Sequence, residues 1–184
     1  MTSTHQGRPL RAAIALLALA LVGLAFAATA TIADASPAKK TTERLVVRGE
    51  ATVKDGASCP AGVCQLQLAD GAFRGTIGTG AYDGAIKLHV ADMFPNGEGG
   101  VCAPIDGTIT LGAGTPNRLV LVLWGDSCQD GKGDLTTSSF TGVAGFVAKY
   151  GTGAYANAHG GGLYTSTEDA NDHERMTLVG RITR

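Results

Sequence analysis

His159-Gly-Gly-Gly162 has the composition of an oxyanion loop, whose backbone N–H groups would stabilise a developing negative charge. No G-x-S-x-G nucleophile elbow accompanies it, so a glycine-rich bend in a strand is the simpler reading. Asp126, Asp130 and Asp134 recur in a Gly-rich stretch and could offer hard oxygen ligands to Ca²⁺. Their spacing is not that of an EF-hand, and solvated loop acids are the commoner explanation. His89, His159 and His173 fall on different strand faces or in a turn, which argues against a shared metal. Cys59 and Cys64 lack the second close pair that zinc needs. No resident metal and no cofactor are expected.

The remaining chemistry is that of a pocket. The five residues Gly78-Thr-Gly-Ala-Tyr82 return as Gly151-Thr-Gly-Ala-Tyr155, and Phe73 and Phe146 each stand five residues before a copy. The repeat equates Phe73, Ile77 and Tyr82 with Phe146, Tyr150 and Tyr155, all expected to face inward, with Asn157 and His159 on the face of Tyr155. Aromatic walls with a few convergent polar groups suit a small-molecule site. The predicted ligand-binding set is therefore Tyr82, Phe146, Tyr150, Tyr155, Asn157 and His159. His159 is the candidate proton donor or acceptor, since an imidazole titrates near neutrality. The alternative is that these side chains simply fill a core.

Elements must hold these residues, and the compartment comes first. Arg8 and Arg11 precede an apolar run from Ala12 to Ala28, and small residues follow at Ala28-Thr-Ala30 and Ala33-Asp-Ala35. That is the pattern of a secretory signal peptide, cut after Ala35 or Ala30. A secreted, extracellular protein is expected, with residues 1–35 as signal, 36–43 as a flexible lead-in and 44–184 as one domain. No later run is apolar enough to span a membrane. The formal charge of −1 at pH 7 leaves no basic footprint for nucleic acid.

Glycine is frequent, at 27 residues, and no segment has helical amphipathicity. Leu45, Val47, Ala51 and Val53 alternate with polar residues, as do Ile105, Ile109 and Leu111, and later Met176, Leu178 and Ile182. Asp70-Gly71 reads as a two-residue hairpin turn and the repeated Gly-Thr-Gly as a repeated hairpin corner. Gly125 to Ser138 reads as a rim loop, and His89 as solvated. The turn from Gly112 to Asn117 folds two runs together so that Cys102 falls opposite Cys128. In an oxidising compartment that pairing and Cys59–Cys64 are the expected disulfides. Leu119 to Trp124 is apolar on both faces, so Val120, Val122 and Trp124 are expected to be covered by a loop or by a homo-oligomer contact. The fold class is all-β, an antiparallel closed barrel of about eight strands, with a β-sandwich as the alternative.

The run Tyr150-Gly-Thr-Gly-Ala-Tyr-Ala-Asn-Ala-His-Gly160, a Thr-rich strand and the closing Met176-Thr-Leu-Val-Gly-Arg-Ile182 resemble the allene oxide cyclase and dirigent barrel superfamily and its G-T-G-x-[FY]-x-x-A-x-G signature. The likeness extends over Gly71 to Ile182. It implies an eight-stranded antiparallel barrel with an apolar pocket, often trimeric in the plant members, which guide or perform cyclisation and coupling of reactive small molecules. None of that family's catalytic residues has a matching motif here, and the cysteine bridges and additional glycines depart from the plant pattern. The expected function is to hold a small apolar molecule. One alternative is a cofactor-free cyclase or isomerase. The other is a cell-surface structural or interaction protein with a filled barrel.

Overall fold

Alternation of apolar and polar residues puts the backbone into long strands, and in the computed structural model those strands close on themselves. The structure describes residues 40–56, 59–131 and 138–184. The predicted signal peptide and its cleavage sites lie outside the described residues. The strands are β1 (Thr42–Asp55), β2 (Val63–Gly75), β3 (Gly78–His89), β4 (Phe94–Pro95), β5 (Val101–Leu111), β6 (Leu119–Gln129), β7 (Phe140–Gly151), β8 (His159–Glu168) and β9 (His173–Thr183). All pairings are antiparallel, and the sheet runs β3-β2-β1-β9-β8-β7-β6-β5 before β3 pairs with β5 to close it. The result is an eight-stranded barrel with the two-residue β4 added beside β5. Closure leaves the eight long strands without an open edge.

The alternating sets point inward as expected. Leu45, Val47, Ala51 and Val53 of β1, Ile105, Ile109 and Leu111 of β5, and Met176, Leu178 and Ile182 of β9 are buried. Leu119, Leu121 and Leu123 of β6 join them in one core. Each such side chain contributes roughly 1.5–3 kcal/mol by leaving water.

Four local readings need correction. Asp70-Gly71 is not a hairpin: β2 runs straight through it, and the chain reverses at Thr76-Ile77, where Gly75 pairs with Gly78. Asp70 takes a positive φ of 57° inside a β-bulge, and the register shifts against both β1 and β3. A bulge and a type I′ turn both use positive φ, so the dipeptide alone did not separate them. The repeated pentapeptide forms two different structures. Its first copy opens β3, whereas Gly153–Tyr155 of the second is a 3₁₀ turn between β7 and β8. Gly125 to Gln129 belongs to β6 and not to a rim loop. The chain is already paired at Thr42 and Glu43, inside the expected lead-in.

Cys102 and Cys128 are direct register partners on β5 and β6 and are joined by a disulfide. Cys59 and Cys64 form the second bridge, around a short 3₁₀ turn at Pro60–Gly62. Among the described residues no helix is long and apolar enough to cross a membrane.

Candidate functional site

Antiparallel strands give the barrel two ends with different contents. At one end the connections between β2 and β3, β5 and β6, and β7 and β8 meet the C-terminus, and the interior is filled. Tyr155 stoppers that end: its hydroxyl donates to the carbonyl of Ile77 at 3.2 Å, and the Arg184 guanidinium lies 5.3 Å above its ring. At the other end the interior is hollow. A cavity of about 390 Å³ is walled by Val53, Leu66, Leu68, Ile86, Leu88 and Ile105, with Phe140 and Met93 nearer the rim. Cys59 and Cys64 also border it, so that bridge ties down part of the mouth.

Glu174 stands in the wall of this cavity and is only 3% exposed. It is the second residue of β9, in phase with Met176, Leu178 and Ile182, so alternation points its side chain inward. Tyr164 of β8 donates its hydroxyl to Glu174 Oε1, and Tyr82 of β3 donates to Oε2 at 3.2 Å. Tyr82 reaches that far because its neighbours are small. It pairs with Gly71, and Ala51 pairs with Glu174. A Cβ on Gly71 would sit 2.7 Å from the Tyr82 ring, and one on Gly49 would sit 2.8 Å from it. The bulge at Asp70 sets the register that keeps Gly71 under the ring.

The electrostatics follow from burial. Desolvation raises the Glu174 carboxyl above its ordinary value, and the hydrogen bonds from Tyr164 and Tyr82 oppose that rise. Both phenols are pushed far up, first by burial and then by the neighbouring Glu174 charge, so they remain donors at every physiological pH. Among the described residues that border the cavity there is no Lys, Arg or His. The described charged groups at its rim are Glu168, Asp169 and Asp172, all acidic. Asp169 is held below the usual carboxylate range by the backbone N–H groups of Asn171 and His173. Arg48, Arg74 and Arg175 border a separate groove over β1, β2 and β9.

The structure places the predicted site residues differently from the repeat. Tyr82 is inside and touches the floor of the cavity through Glu174. Phe146 is buried in the core, and Tyr155 closes the opposite end. Tyr150 is 53% exposed: β7 is irregular between Tyr150 and Ala148, which turns Tyr150 outward. Asn157 is exposed, with a positive φ of 69°, and His159 is exposed with Nδ1 3.2 Å from the Asn157 carbonyl. Neither borders the cavity. The 3₁₀ turn and Asn157 break the parity carried forward from Tyr155, so Tyr164 faces inward and Leu163 outward.

Asp126 is exposed on β6 and Asp130 accepts the Thr141 hydroxyl at 2.9 Å, while Asp134 lies outside the described residues. His89 is half-buried and bonded to Asp106 at 2.5 Å rather than free in solvent. Val120 is buried, Val122 half-buried, and Trp124 is 51% exposed against Gly145. Trp124, Gly145, Leu163 and Val179 form one row across β6 to β9, flanked by exposed Val143 and Val147.

The fold and the site define a class: a closed antiparallel barrel, filled at one end and hollow at the other, with a buried acid in the hollow half. Compared with protein-family models, curated proteins and solved structures, the chain matches none of them.

Proposed function

We propose that this is a secreted β-barrel that binds a small apolar molecule in the open half of its barrel. One observation carries the reading: a cavity of about 390 Å³ with aliphatic walls and a single buried carboxyl between two tyrosine hydroxyls. Such a volume suits a small ligand, and a few polar groups at the floor would orient it. Two disulfides, one of them at the mouth, fit an oxidising compartment.

The same carboxyl supports a second reading, a cofactor-free isomerase or cyclase like those of the resembled superfamily. A buried acid with a raised pKa could take a proton from a bound carbon acid, and as its charge is neutralised one phenol hydroxyl would turn from the carboxyl to donate to the developing oxyanion. His159 has no part in it, since it lies at the far end.

Native mass spectrometry of protein recovered from culture medium tests the binding reading. A small mass that is retained natively and lost on denaturation, and absent from Leu88→Trp, is the expected result. Bare wild-type protein that also fails to take up apolar dyes would count against it. Conversion of a bound compound, abolished in Glu174→Gln, would select the enzyme.

A further inference from the structure

A buried carboxylate normally has a cation beside it, because an isolated ionised group is strongly disfavoured in a low-dielectric site. Glu174 has hydrogen bonds, and no cation is paired with it among the described residues. Its contacts are the two phenols, one from β3 and one from β8. Those hydroxyls donate to its oxygens and bring no positive charge. The described groups that border the cavity with charge are Glu174 on the floor, Glu168 at the end of β8, and Asp169 and Asp172 in the turn before β9. A ligand entering past the rim therefore meets acid at the mouth, aliphatic side chains along the walls and acid at the bottom. An anionic head would be repelled at both levels. A neutral molecule would gain the walls and at most an uncharged hydrogen bond at the floor. An ammonium on an apolar body would gain the walls and also set a positive charge against Glu174, which no described residue does.

Resting on the binding reading above, we propose that the ligand is a cationic amphiphile, an amine with an apolar body, whose ammonium pairs with Glu174 between Tyr82 and Tyr164. The two tyrosines act as positioning residues. Each holds one carboxylate oxygen, which aims the remaining lone pairs into the cavity.

A headgroup series tests this without knowledge of the natural ligand. The neutral dye N-phenyl-1-naphthylamine reports cavity occupancy by fluorescence, and octylamine, 1-octanol and octanoate compete for it at neutral pH. A charge-assisted contact should let octylamine displace the dye at a concentration at least about tenfold lower than 1-octanol, with octanoate weakest. Glu174→Gln should still bind dye and 1-octanol while octylamine loses its advantage. If dye and alcohol bind but octylamine is no better, or keeps its advantage in Glu174→Gln, the charge assignment is wrong and the binding reading stands. If folded wild-type protein takes up neither dye nor any competitor, the binding reading falls and this inference falls with it. The wild-type series decides the headgroup preference even where the variant does not fold.

Discussion

Tyr82 and Glu174 are 92 residues apart in sequence, yet the Tyr82 hydroxyl donates to Glu174 Oε2 at 3.2 Å. Between them stand Gly71 and Ala51, whose small size lets the ring lie against the barrel wall. This contact holds one oxygen of the carboxyl that borders the cavity.

Glu174 should make stability depend on pH. Its folded-state value is raised, so the stability it contributes is complete below the ordinary value of 4.5 and is lost as pH rises through the folded value. Glu174→Gln keeps the shape and removes the charge. Its melting temperature relative to wild type should therefore climb between about pH 4 and pH 8, by roughly 2–4 °C for each kcal/mol regained. Tyr82 and Tyr164 do not titrate in that window, and Glu50, Glu168, Asp169 and Asp172 are common to both proteins. A flat difference across the series would mean that Glu174 is not desolvated.

Gly49→Ala places a methyl 2.8 Å from both the Tyr82 ring and the end of Met176. The Met176 methyl is the end of an unbranched side chain, whereas moving the Tyr82 ring would disturb its hydrogen bond to Glu174. A loss of about 1–3 kcal/mol is expected in urea unfolding. A loss below half a kcal/mol would show that the ring is loosely held.

The two disulfides should differ in worth. Cys102–Cys128 closes a separation of 26 residues and Cys59–Cys64 one of 5. In the loop-entropy account, replacing the first pair by alanine costs about 3–4 kcal/mol and the second about 2 kcal/mol. Only the second borders the cavity, so only its removal should also change dye affinity. Equal changes in affinity from both double variants would contradict that placement.

His159 sits at the filled end of the barrel, so His159→Ala should leave dye affinity and headgroup preference unchanged. A change of more than about threefold, or some 0.6 kcal/mol, would mean that the two ends communicate.

Trp124 is the sole tryptophan of the chain and is half exposed in the row with Leu163 and Val179. In the isolated chain its emission should be long in wavelength and readily quenched by acrylamide. A short-wavelength, protected emission that develops with protein concentration would instead show this face covered by another copy, which sedimentation would confirm.

The sequence determined what is local. Alternation set the inward faces of β1, β5 and β9 without reference to the rest of the chain, because side chains alternate with period two in any strand. The hairpin between β5 and β6 then made Cys102 face Cys128 by counting alone. Tertiary structure decided whatever depends on how strands slide past one another. The bulge at Asp70 and the 3₁₀ turn at Gly153–Tyr155 each broke a count, which turned an expected hairpin into a continuous strand and took Asn157 and His159 away from the inward face while Tyr164 lies inside. Glu174 had a legible sign, a carboxyl in phase with Met176 and Leu178. That Tyr82, Tyr164 and Glu174 converge from β3, β8 and β9 was not in the sequence, since closure of the barrel sets those registers jointly. The cavity is likewise a volume left over when all eight strands have packed, so no single segment encodes it.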